Sequence, residues 1–146
     1  NLILQNRRPV IYGDGEQKRT FSDVEDCIYC LDKLILDPNI KSQIFNIGPD
    51  EETITINELY SMIANKMKFN LDPIYNPDRP NEVKFATCSS EKSRRLLNYS
   101  TKVGLSVSID RLIKYIKKTG PKKFDYNLKL EIVSEKTPKT WSKKLF

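Results

Sequence analysis

Apolar positions along the chain fall into a few clear rhythms. Residues 9–12, "PVIY", form a short apolar run that predicts a strand, closed by Gly13-Asp14-Gly15, a turn composition suited to positive φ. After Phe21, Val24, Cys27, Ile28, Leu31 and Ile35 recur at helical spacing until Asp37-Pro38. Ser22 and Glu25 ahead of them have the spacing of a capping box. "QIFNIG", residues 43–48, predicts a second strand.

The pattern continues with another capping box, Thr55 and Glu58, which opens a helix carrying Leu59, Met62, Ile63 and Met67 on one side. "PIYNP", residues 73–77, reads as a short extended piece, and Ser89 or Ser90 as the cap of a short helix bearing Leu96 and Leu97. Ser106 precedes a last helix with Ile109, Leu112, Ile113 and Ile116 inward, stopped by Gly120-Pro121. "LKLEIV", residues 128–133, alternates in part like an edge strand. Three amphipathic helices, one shorter helix and several short strands make an α/β or α+β chain. The strands are too few for a complete doubly wound sheet.

At 146 residues the chain fits one domain, and 38% hydrophobic with 30% charged residues describes a soluble globular protein. No run approaches the ~18 apolar residues of a membrane helix, and no basic-then-apolar start resembles a signal peptide. Three cysteines, an odd number, favour a reducing compartment, and the expected location is the cytoplasm. The chain opens on Asn1 rather than Met, on what reads as mid-helix, and is read as a fragment. Its net charge of +6 is uneven: seven lysines and three acidic residues fall within residues 121–146. That basic extension also holds Phe124, Tyr126, Leu128, Leu130, Ile132, Val133 and Trp141, so it is no simple disordered polycation.

Several chemistries drop out. With no histidine, Ser-His-Asp and Cys-His catalysis have no base. Neither G-x-G-x-x-G nor G-x-x-x-x-G-K-[ST] occurs. Cys27-x-x-Cys30 lies inside a helical pattern, where cysteine is usually a small buried hydrophobe, and no metal site is expected. Tyr29 and Lys33 have the Tyr-x-x-x-Lys spacing, but lysine and tyrosine are common enough here for one such pair by chance.

Binding chemistry remains. Arg19 follows the glycine turn, and Arg79 sits in "NPDRPNEV" between two prolines that stiffen its loop. Guanidinium groups suit a diphosphate because their forked donors bond two oxygens at once and never lose charge. Glu82, three residues after Arg79, is placed to accept bonds from sugar hydroxyls near the same anion.

In this order, "PVIYGDGEQKRTFSDVEDC", "IFNIGPDEETITINEL", "DRPNEV" and "CSSEKSRRLLNYSTKVGLSVSIDRLIKYI" resemble the C-terminal substrate-binding part of extended short-chain dehydrogenases, the NAD-dependent nucleotide-sugar epimerase/dehydratase family. The resemblance covers most of residues 1–116. It implies that the strand Val10–Tyr12 meets the nucleotide base through its backbone, with Val10 and Tyr12 as substrate-binding positions. It implies that Arg19 and Arg79 grip the diphosphate and that Glu82 stands where an aspartate often holds ribose hydroxyls. Thr20, where an aspartate commonly follows the first arginine, and the longer Glu82 depart from the pattern.

The resemblance further implies that the glycine-rich cofactor turn, the catalytic Tyr-Lys pair and most of the parallel sheet belong to an N-terminal Rossmann part. On that reading this chain binds no cofactor itself and has no catalytic residue, NAD serving the intact parent. Residues 1–120 are expected to be a partial nucleotide-sugar-binding domain and residues 121–146 a basic extension. The expected partners are a UDP- or dTDP-sugar, the Rossmann part and a possible second copy, with no membrane. The rival reading is a non-enzymatic binding or scaffolding module whose basic tail contacts nucleic acid or a protein partner, although most aromatics sit in helices and strands as core candidates rather than as stacking platforms.

Overall fold

The computed structural model of the chain describes residues 1–123 and 134–143. Elements run β1 (Val10–Tyr12), β2 (Lys18–Arg19), α1 (Val24–Leu36), β3 (Ile54–Thr55), α2 (Ile56–Met67), β4 (Ile74–Asn76), β5 (Phe85–Ala86), α3 (Glu91–Leu97), α4 (Leu105–Thr119) and α5 (Lys139–Ser142). This is the mixed α/β class expected from the sequence, with the strands of the described residues in two small sheets. β1 pairs in parallel with β4, Ile11 opposite Tyr75. β2 pairs antiparallel with β3 and parallel with β5, so that Arg19 lies opposite both Ile54 and Ala86. The edge strand read over residues 128–133 lies outside the described residues.

Local chemistry explains most boundaries. Between β1 and β2, Gly13 and Gly15 adopt φ of 72° and 79°, conformations that a side chain disfavours. Space forbids one too: a Cβ on Gly15 would come within 2.0 Å of the Asn57 side chain. At α2 the capping box is complete, the Glu58 N–H donating to Thr55 Oγ1 at 3.0 Å and the Thr55 N–H to Glu58 Oε2 at 2.7 Å. Three expectations need correction. The cap of α1 is Asp23, not Ser22, because its carboxylate takes the Glu25 N–H and a hydroxyl bond from Ser108 of α4 at 2.7 Å. Helix α4 starts at Leu105 behind Gly104, so Ser106 lies within its first turn. "QIFNIG" is not a strand.

That third correction has a clear cause. Among the described residues no strand runs beside 43–48, so the segment has no ladder to join. Side chains of the α3 region hold it instead: Lys92 Nζ donates to the Ile44 carbonyl, Ser93 Oγ to that of Asn46 and Ser90 Oγ to that of Gly48. The buried cluster next to it is small. Cys30, Leu97 and Tyr99 form its centre, with Tyr29, Leu34, Ile40, Phe45 and Ile47 packed around them. Burial pushes the Cys30 thiol above its usual range, consistent with a packing role.

Helical periodicity identified the helices but not which faces are covered. On α1 the stripe Val24, Ile28, Leu31 and Ile35 is exposed, Ile35 at 78%, while Asp26 and Cys30 are buried. On α4 only Ile109 of the four expected inward residues is fully buried, and Leu112 is exposed. Ile113 and Ile116 line an apolar groove of about 420 Å³ with Ile63 and Met67 of α2 and Ile3 near the N-terminus.

Candidate functional site

The parallel pairing of β2 with β5 carries the 79–86 loop to the side of Arg19. Within this loop Asn81 adopts a φ of 59° and the Glu82 N–H closes a turn onto the Arg79 carbonyl at 3.3 Å. Glu82 is thereby directed at both guanidinium groups. Arg79 donates to it in forked fashion, Nε to Oε2 at 2.7 Å and Nη2 to Oε1 at 2.8 Å. Arg19 Nη2 reaches Oε1 at 3.3 Å. Beneath this cluster, the Arg79 guanidinium lies 5.0 Å from the centroid of the Tyr12 ring, within cation–π range.

Four of the five sequence-selected residues therefore meet: Tyr12, Arg19, Arg79 and Glu82. Val10 does not join them; it stands at the other end of β1, opposite Ile74. Glu82 is 10% exposed, Arg19 24% and Arg79 45%, so the carboxylate is sheltered while the cations still face solvent. The hydrogen bonds from Arg79, and then the charges of Arg79, Arg19 and Lys84, hold the Glu82 carboxyl below the usual carboxylate range against the opposing effect of burial. Conversely, Glu82 raises the Arg79 guanidinium. Lys84 is engaged by Asp78 at 3.0 Å.

An open cleft of about 460 Å³ lies over this cluster, lined by Arg19, Arg79, Glu82, Val83, Lys136 and Pro138 among others. Lys136 and Pro138 come from the C-terminal extension. Sequence reasoning missed them, since nothing in the primary structure ties residue 136 to residue 79. It also missed the direct contact of Glu82 with both arginines, although the Arg-Pro-x-Glu spacing allowed one. The turn before the site is fastened by Asn57, whose Nδ2 donates to the Asp14 carbonyl at 2.9 Å and whose Oδ1 accepts from the Tyr75 hydroxyl at 2.9 Å.

The Gly13–Gly15 turn leads into a strand rather than a helix N-terminus, and added Cβ atoms there would meet Asp78 and Asn57 instead of an open cradle. Among the described residues no group of His, Cys, Asp and Glu is placed to hold a metal ion, and no helix is long and apolar enough to cross a membrane.

No protein-family model matches the chain. A candidate UDP-glucose 4-epimerase of Methanocaldococcus jannaschii is 31% identical over 115 residues, 79% of this chain and 36% of the relative. Among solved structures, the UDP-glucuronic acid 4-epimerase of Bacillus cereus in complex with UDP-glucuronic acid and NAD is 28% identical, with a TM-score of 0.76 over 82% of this chain and 38% of that one. The UDP-glucose 4-epimerase of Thermotoga maritima with UDP-glucose shares the fold, with a TM-score of 0.75 at 24% identity over 81% of this chain and 37% of that one. The chain thus spans little more than a third of the length of the proteins it matches.

Proposed function

We propose that this chain, homologous over about four-fifths of its length to a segment of the NAD-dependent UDP-sugar 4-epimerases, supplies the diphosphate-binding part of the substrate pocket in an enzyme that epimerises or dehydrates nucleotide sugars. The observation that carries this reading is the meeting of Arg19 and Arg79 at one cleft, although they are far apart in the chain. Two forked cations, that of Arg79 lying over the Tyr12 ring, form a seat for paired phosphates, where each charge-assisted bond contributes roughly 1.5–3 kcal/mol net. In this reading the nucleotide lies along β1, where the Val10 and Tyr12 backbone meets the base. The two guanidinium groups take the phosphates, and Glu82 accepts sugar hydroxyls.

When bound in the intact enzyme, NAD supplies reversible hydride acceptance. The residues described here do not hold it, and their part is to orient the sugar nucleotide and fix its charge. Residues 1–120 form the binding segment, the covalent chemistry belongs to a Rossmann part outside it, and the setting is cytoplasmic.

The test is titration of the 146-residue chain with UDP-glucose, followed by amide chemical shifts or calorimetry. Weak binding is expected, because only part of the pocket is present. Arg79→Ala should weaken it at least about tenfold, the loss of one charge-assisted contact. Unchanged affinity in both Arg19→Ala and Arg79→Ala would remove the assignment.

A further inference from the structure

The cleft poses a charge problem. Arg19 and Arg79 bring two positive charges, but Glu82 lies against both and cancels one. A nucleoside-diphosphate sugar carries two negative charges on its diphosphate, so the cluster is one cation short of balance. Lys84 is already paired with Asp78. Among the described residues, the remaining cation lining the cleft is Lys136, which comes from the C-terminal extension, beyond the segment that ends at Ile116 and resembles the epimerases.

Lys136 sits in a tight local turn that fixes its own backbone. The Thr137 N–H donates to the Ser134 carbonyl at 3.0 Å, the Ser134 N–H to Thr137 Oγ1 at 2.9 Å, and the Lys136 N–H to Ser134 Oγ at 3.2 Å. Side chains and backbone of the turn thus satisfy one another, and Pro138 follows it against the cleft. The Lys136 side chain is exposed, as a cation awaiting an anionic ligand should be.

We infer that Lys136 is the third cation of the diphosphate site, so that the turn at residues 134–138 forms one wall of the ligand cleft and offsets the internal charge of Glu82. This rests on the proposed diphosphate site and adds to it a binding residue from a region that the resemblance does not reach. An ammonium is suited to the position because it acts as a point charge and needs no fixed approach angle, whereas the arginines provide the directional forks.

The experiment titrates the full 146-residue chain with inorganic pyrophosphate and with UDP-glucose at low ionic strength, using wild type, Lys136→Gln, Lys136→Arg and Lys139→Gln. Lys139, a neighbouring exposed lysine outside the cleft, controls for a general loss of charge. The expected result is roughly tenfold weaker binding of both ligands by Lys136→Gln, with affinity kept by Lys136→Arg and Lys139→Gln. Equal thermal midpoints for all four proteins establish that folding is intact. If Lys136→Gln binds like wild type while Arg79→Ala does not, the third-cation inference is overturned and the two-arginine site stands. If Lys139→Gln weakens binding as much as Lys136→Gln, the effect is bulk charge and the inference is likewise overturned. If wild type binds neither ligand, the diphosphate site itself fails and the inference falls with it.

Discussion

Replacing Glu82 by Gln removes one charge and keeps the shape. In the native chain its carboxylate accepts two short bonds from Arg79, at 2.7 and 2.8 Å, and a longer one from Arg19 at 3.3 Å. Were the pair fully sheltered, removing one partner would cost several kcal/mol, because the other charge would be left buried and unpaired. Arg79 is nearly half exposed, so its share drops toward the ~1 kcal/mol of a solvent-screened pair. The Arg19 contact is long and adds a few tenths at most, but losing the carboxylate also leaves two guanidinium groups facing each other. The expected cost is about 1–2 kcal/mol at pH 7. Urea unfolding is the assay, since guanidinium chloride would screen the effect, and the midpoint should fall with an unchanged slope.

The pH dependence gives the sharper check. The carboxyl of Glu82 is held below its ordinary range in the folded state. Its stabilisation is therefore complete above the unfolded value of about 4.3 and is lost as pH falls through the lower folded value. The gap between wild type and Glu82→Gln should be full at pH 6–7, begin to close below about pH 4.3 and vanish in stronger acid. Added pyrophosphate should restore part of the variant's stability, because a ligand bound only by the folded state shifts the equilibrium toward it. Equal midpoints at pH 7, or a gap that widens on acidification, would refute this account of the cluster.

Two further outcomes follow from the fold. Thr55→Ala removes the acceptor for the Glu58 N–H at the start of α2 and should cost about 1 kcal/mol in the same urea assay; no change would mean that the box is redundant with the β3 pairing. The exposed apolar stripe on α1 should drive concentration-dependent association, and changing Ile28 and Ile35 to Gln should abolish it in sedimentation runs without lowering stability. A variant that associates as wild type does would show that another face is responsible.

The recognisable parts of the site were those with local signatures. Glycines at 13 and 15 announced positive φ, and Thr55 with Glu58 announced a helix start, because these effects act within a few residues. Arg19, Arg79 and Glu82 stood out by side-chain chemistry and by their place in a family-like order. The resemblance implied that the two arginines converge, but their direct contact with Glu82 was not legible, since it depends on β2 and β5 lying side by side. Val10, selected for a contact with the base and not for this cluster, lies at the far end of β1.

Periodicity has a similar reach. It located α1, α2 and α4 because an apolar repeat near 3.6 residues is a property of the segment itself. Which repeat is covered depends on what lies opposite: α1 buries Cys30 against α3 and leaves Ile35 in solvent. "QIFNIG" has strand composition and no strand, because a strand is defined by a neighbour's hydrogen bonds and none is supplied among the described residues. Propensity, capping and turn chemistry were thus decided by the order of the amino acids. The pairing of two distant arginines around one carboxylate, and the approach of Lys136 to them, were decided only by tertiary structure, because charges act through space and the chain order does not record distance.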